Sequence, residues 1–321
     1  MMIMKKNDKR DWSEKDLKKH LVEVRKYLWR DSTIRRIAEW LDISGRIKVL
    51  DAGCGLGYLG LTFWDHFGKN SLYTGLDCSR NLLKEAASLS SQWAVDGSAA
   101  FIEAGAYNIP ASNDSYDLAM CQTLLMHLQH PLEVLEEMVR VTKPGGVIMC
   151  MEPDNISATM SEPYSSIPPL SDRDMLWLFK MRLIWARGRE KLGRGDWGIG
   201  KKLPRMMYSL GLERVDALYN DAPRFLNPPY ETEEQKYQIR MMKKNNSEEE
   251  DPAESRKAWK RCRECFIAGG ASLSTFYRYK RFMEKRMNEL RDVVKQQLEK
   301  GEFFGGIPSS SFYCVRGYKP Y

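Results

Sequence analysis

The chain has 321 residues, 43% hydrophobic and 11% aromatic, enough to bury a core and too apolar for a disordered chain. No apolar run approaches the roughly 18 residues of a membrane span, and Met1 to Lys19 is charged throughout, so neither a spanning helix nor a signal peptide is expected. The net charge of +7 is uneven: residues 49–151 hold 5 Lys/Arg against 11 Asp/Glu, between basic flanks at 1–48 (14 against 8) and 152–321 (31 against 24). An acidic middle between basic flanks suits an anionic small molecule or a nucleic acid. Lys/Arg-rich helices that are merely solvated give the same count.

Residues 13–42 read as one or two helices, with Leu17, Leu21, Val24 and Leu28, then Ile34, Ile37, Ala38 and Leu41, at helical spacing. Ile47 to Leu50 is a short strand that ends at Asp51 and a glycine cluster. A helix over Tyr58–Phe67, a strand over Ser71–Leu76 ending at Asp77, and a helix over Ser79–Ser91 follow. Phe101 and Ile102 mark a third strand, Tyr116–Cys121 a fourth, Leu132–Val141 a helix and Val147–Met151 a fifth strand. Strands alternating with helices imply βαβ units and a parallel sheet. Beyond Glu152 the prolines 153, 163, 168 and 169 interrupt the pattern. Ser171–Leu192 and Gly200–Leu210 read as helices, Glu213–Tyr219 as a sixth strand, 231–300 as a charged helical region broken near Asn245–Pro252, and Ser309–Gly317 as a last strand.

The informative segment is Val49-Leu50-Asp51-Ala52-Gly53-Cys54-Gly55-Leu56-Gly57. A buried strand delivers a carboxylate, and a Gly-x-Gly-x-Gly turn then brings the backbone close to a ligand at a helix N-terminus. Asp77 ends the second strand, where it can bond two ribose hydroxyls. Gly55-x-Gly57-x-x-Gly60 also matches the dinucleotide fingerprint. Asp51 directly before the turn would repel a pyrophosphate and suits a ligand with a cationic amino-acid end.

Four motifs together resemble the class I S-adenosylmethionine-dependent methyltransferases: Val49–Gly57, Gly75-Leu76-Asp77-Cys78-Ser79, Tyr116–Gln122 with His127-Leu128, and Arg140-Val141-Thr142-Lys143-Pro144-Gly145-Gly146. The resemblance covers about residues 45–152, and quinone-biosynthesis-type and other small-molecule methyltransferases are the nearest in pattern. It implies S-adenosyl-L-methionine as cofactor. Asp51, Gly53 and Gly55 would hold its methionine end, Asp77 the ribose with Cys78 beside it, Ala106 and Tyr107 would border adenine, and Cys121 and Gln122 would sit near the sulfonium. Gly105 stands where the family often has an acid for the adenine amino group.

The expected architecture is a doubly wound, Rossmann-like α/β fold with a seven-stranded sheet. It comprises a helical cap at 1–44, a cofactor-binding core at 45–155, lid helices at 156–210, and the end of the sheet at 211–321 with a helical insertion at about 231–300. His127 and Glu152 are the candidate catalytic residues: a histidine there can take a proton, and a carboxylate at the sheet edge can orient an amine or accept one. Residues 180–205 hold nine basic side chains against Glu190 and Asp196, with Trp185 and Trp197 interleaved, so Arg187 and Arg189 are candidates for selecting an acidic acceptor. An amphipathic helix that buries its tryptophans accounts for the same residues. Asn227-Pro228-Pro229-Tyr230 reads as a loop, and Cys262-x-x-Cys265 lacks the further ligands a metal site needs, so no metal is expected.

The function read from the sequence is methyl transfer to a small molecule. RNA or protein methylation is the alternative, disfavoured because no RNA-binding module is recognised, and a non-catalytic cofactor-binding protein is a second. The seven scattered cysteines fit a reducing cytoplasm. Oligomeric state stays open.

Overall fold

The computed structural model describes residues 29–43, 45, 47–94, 98–158, 166–167, 169–220, 224–245, 252–307 and 311–321. The expected helix over Leu17–Leu28 lies outside them. Helix α1 (Asp31–Leu41) buries Ile34, Ile37 and Leu41, one face at helical spacing, and ends where Asp42 turns left-handed. Strand β1 (Lys48–Ala52) follows, then α2 (Tyr58–Phe63), β2 (Leu72–Asp77), α3 (Arg80–Ser90), β3 (Ala99–Glu103), β4 (Tyr116–Gln122), α4 (Pro131–Val141) and β5 (Thr142–Asp154).

The seven-stranded sheet runs β3-β2-β1-β4-β5-β9-β6, where β6 is Glu213–Tyr219 and β9 is Ser311–Tyr318. The first five are parallel, and β9 is antiparallel to both β5 and β6. Strand alternation divides the core in two. Leu50, Ala52, Ala119, Cys121, Ile148 and Cys150 face α4 on one side, and Val49, Leu118, Met120, Met149 and Met151 face α1 and α2 on the other. Strand order reverses between the parallel neighbours β1 and β4, and the crevice at the carboxyl ends of these strands is where open α/β sheets bind ligands.

After β5 come α5 (Asn155–Ala158), the long α6 (Asp172–Lys191), a 3-10 turn at Ile199–Lys202 and α7 (Leu203–Ser209). The predicted Gly200–Leu210 helix thus begins as a 3-10 turn, because Leu203 and Pro204 open a new helical N-terminus. Between β6 and β9 lies a helical excursion: β7 (Arg224–Leu226), α8 (Glu233–Asn245), α9 (Pro252–Ala268), α10 (Leu273–Lys300) and β8 (Gly305–Ile307). Strands β7 and β8 pair antiparallel and close it at its base. Three residues each are too short to carry a strand pattern, so this ladder was invisible in the sequence. Met181 and Ile184 of α6 pack with Phe266 of α9 and Phe276 and Tyr279 of α10 in a separate apolar cluster. There Gly188 and Gly269 let α6 and α9 touch backbone to backbone: a Cβ at Gly188 would lie 1.7 Å from the Cys265 carbonyl oxygen, and one at Gly269 2.0 Å from that of Ile184.

Candidate functional site

The turn after β1 takes its shape from three left-handed glycines, Gly53 (φ 69°), Gly55 (φ 54°) and Gly57 (φ 77°). The Leu76 carbonyl accepts from Gly53 N and Cys54 N at 2.7 and 3.0 Å, pinning the turn to the end of β2. Asp77 completes the clamp: Oδ2 accepts from Gly55 N at 3.0 Å and Oδ1 from Ser79 N at 2.8 Å. Asp77 therefore holds the turn through both of its carboxylate oxygens, a role that spacing alone does not reveal. Cys78 next to it is exposed.

Beneath the turn Asp51 is 1% exposed, and its Oδ2 accepts from the Tyr73 hydroxyl at 2.6 Å. Tyr73 is wholly buried, edge-on to Trp93 and Phe101. Burial, with the Asp51 charge second, pushes its phenol well above the usual range, so it stays a donor. Sequence reasoning missed Tyr73. The signal was its strand position, two residues before Gly75, which pairs with Asp51 across β1 and β2.

Asp51, Gly53, Cys54, Gly55, Leu56, Tyr58, Leu59 and Gln122 line a groove with a cavity of about 60 Å³. Leu124 covers Gly53 so closely that a Cβ there would lie 2.7 Å from its Cδ1. The Gln122 side-chain amide is buried and its Nε2 has no hydrogen-bond partner. A Cβ at Gly55 would meet open space. A carboxylate, a second carboxylate at the ribose end, a turn of backbone amides and an orphaned buried amide donor fit a ligand with an ammonium, a carboxylate and two hydroxyls. S-adenosylmethionine has all of these.

Two expected site residues take other places. Cys121 is fully buried in the apolar core, opposite Cys150 in the β4–β5 register, because alternation turns it inward and leaves Gln122 to line the groove. Glu152 is also fully buried, and accepts from the backbone amides of Leu124, Leu125 and Met126 at 2.8, 2.7 and 3.3 Å. The loop after β4 turns left-handed at Thr123 (φ 49°), and this carboxylate collects the amides so exposed. These three bonds tie the carboxylate to the loop after β4. Ala106 and Tyr107 pack on the edge of the core, and the Tyr107 hydroxyl accepts from His130 N at 3.3 Å, a loop-packing bond.

His127 ends a 3-10 turn, Leu125–His127, and its Nδ1 lies 3.3 Å from Nη2 of Arg189. A guanidinium only donates, so Nδ1 accepts and the imidazole proton sits on Nε2. The Arg189 guanidinium lies 5.1 Å from the Trp197 ring and 5.9 Å from the Trp185 ring, which meet edge to face at 5.0 Å. Arg187, its expected partner, is exposed. Three other cations of 180–205 are paired: Lys202 with Asp196 at 2.6 Å, Arg194 with Glu264 at 2.6 Å and Lys201 with the buried Asp154 at 3.2 Å. Burial pushes the Cys262 thiol up to about 12, and among the described residues no cluster suited to a metal ion occurs.

A sheet of this order with a glycine-turn groove at its switch point defines a Rossmann-like α/β fold. Residues 43–181 match the family profile described as a methyltransferase domain. An uncharacterised methyltransferase of Schizosaccharomyces pombe is 28% identical over 162 residues, 48% of this chain and 56% of its own length. The demethylmenaquinone methyltransferase of Bacillus subtilis is 33% identical over 127 residues, 39% of this chain and 51% of its own length. The chain thus spans about half the length of the curated relatives it matches. A chain in the complex of the Haloferax volcanii Trm112 methyltransferase activator with a methyltransferase has the same fold: TM-score 0.51, 14% identity, covering 98% of this chain and 100% of that one.

Proposed function

We propose that this protein transfers a methyl group from S-adenosylmethionine to a small, planar acceptor that carries an acidic group. The cofactor supplies a methyl already activated on a sulfonium, so the chain's task is to orient two partners and exclude water. Asp51, Gly53, Gly55 and Gln122 receive the amino-acid end, Asp77 the ribose with Cys78 at its rim, and Ala106 and Tyr107 border the base. Helix α6 and the loop to Trp197 form the lid. The observation that carries the acceptor class is Arg189, a cation laid against two tryptophans and touching His127 beside the loop after β4. Aromatic faces suit a planar acceptor, and a guanidinium suits its acidic group. His127 contributes a donor rather than a base, which favours an acceptor that arrives already ionised.

Arg189→Met should raise the acceptor KM tenfold to a hundredfold, about the value of a charge-assisted hydrogen bond, with S-adenosylhomocysteine affinity unchanged. Arg187→Met should change neither. Turnover on RNA or protein with none on any acidic small molecule would replace this reading by the macromolecular one.

A further inference from the structure

The helical excursion between β6 and β9 ends in a hairpin with an unusual surface. Residues 255–281, most of α9, its turn and the start of α10, hold eight Lys/Arg and one acid, Glu264. That acid is already engaged by Arg194 at 2.6 Å. At the tip three large apolar side chains stand in solvent: Ile267 (44% exposed), Leu273 (53%) and Tyr277 (49%). Leu273 and Tyr277 are one helical turn apart on the same face of α10.

The two helices carry the same order outward from the tip. On α9, Arg263 and Lys260 follow Ile267 at spacings of four and seven residues. On α10, Arg281 follows Tyr277 at four. All three cations are exposed. At about 1.5 Å rise per residue they lie roughly 6–10 Å behind the apolar ends. That is about the depth to which interfacial helices bury their apolar side chains while Lys and Arg stay among the headgroups.

We propose that the α9–α10 tip docks on an anionic phospholipid surface, with Ile267, Leu273 and Tyr277 in the acyl boundary and Lys260, Arg263 and Arg281 at headgroup level. Charge complementarity sets the partner's sign, and the aliphatic tip selects a lipid surface over a phosphate backbone, which has nothing to receive an isoleucine and a leucine. The tip is also joined to the candidate acceptor site. Gly269 meets the Ile184 carbonyl on α6, one residue before Trp185, so docking places the lid helix at the bilayer. The surface is independent of the methyl-transfer reading and stands or falls separately from it.

The test is vesicle flotation of the full chain, with S-adenosylhomocysteine calorimetry as the check that each variant is folded. The chain should float with vesicles of phosphatidylcholine mixed with phosphatidylglycerol, and stay behind with phosphatidylcholine alone. Ile267→Asp with Leu273→Asp, and separately Arg263→Glu with Arg281→Glu, should each weaken retention about tenfold or more, with nucleotide affinity intact. Tyr277→Ser should give a smaller loss. Absence of binding to the anionic vesicles, or equal binding to the neutral ones, would overturn the proposal. So would retention that the Arg pair abolishes and the Ile267/Leu273 pair leaves untouched, or that single-stranded RNA outcompetes, since either outcome assigns the face to a polyanion.

Discussion

The groove at the ends of β1 and β2 and the surface made by α6, α9 and α10 are built by different means. The groove is backbone work: three left-handed glycines in nine residues, held by the Leu76 carbonyl and the Asp77 carboxylate. The helical surface is side-chain work across long separations, with Arg194 reaching Glu264 and Gly188 seated on the Cys265 carbonyl. Chemistry that uses backbone amides needs glycine at fixed places and so shows in the sequence. Chemistry assembled by packing distant helices leaves only apolar and charged residues whose partners cannot be read off.

Valine at Gly188 should break the second region and spare the first. Its Cβ would overlap the Cys265 carbonyl, and overpacking costs about 1–3 kcal/mol or more where backbone meets backbone. A melting temperature lowered by roughly 5 °C or more is expected, with S-adenosylhomocysteine affinity nearly unchanged in the folded protein. Gly53→Val should show the reverse balance, losing the nucleotide through a left-handed position crowded by Leu124. Identical profiles for the two variants would mean that the regions are not separable.

Asp77→Ala comes next in size. It removes the acceptor for two backbone amides of the turn and, as proposed, for the ribose, so a tenfold to hundredfold loss of S-adenosylhomocysteine affinity is expected by calorimetry. An unchanged affinity in a folded variant would remove Asp77 from the site.

Tyr73→Phe sharpens the account of the amino-acid end. Losing one hydrogen bond to a buried carboxylate should weaken S-adenosylhomocysteine by about fivefold to tenfold. Binding of 5′-methylthioadenosine, which has no amino-acid end, should not change. Equal weakening of both ligands would make Tyr73 a general support of the sheet.

The smallest effect concerns the thiols. Cys78 is exposed, whereas burial holds Cys262 near 12, so the Cys262 thiolate becomes abundant only as pH climbs toward that value. Iodoacetamide at mildly alkaline pH should label Cys78 first, and Cys262 only on unfolding. Early labelling of Cys262 would show that α6 and α9 part readily.

The legible part was the seven-stranded sheet, β6 and β9 included, and the glycine turn with Asp51 and Asp77, because period-two alternation and turn glycines are local signals. Gln122 was legible as a position but not as an orphaned donor. The positions of Glu152 and His127 could be read from the sequence but their contacts could not, since these lie elsewhere in the chain: the amides of Leu124 to Met126 for one, Arg189 for the other. Arg187 and Arg189 looked alike in sequence, and the direction each leaves α6 separates them.

The central claim, that this groove takes an adenosyl sulfonium compound rather than a dinucleotide, is tested most directly by a thermal-shift comparison of four ligands on the intact chain. S-adenosylmethionine and S-adenosylhomocysteine should each raise the melting temperature, with about 2.7 kcal/mol of added stability at a hundredfold excess over the dissociation constant, while NAD and ATP leave it unmoved. A rise with NAD and none with either adenosyl compound would contradict the account.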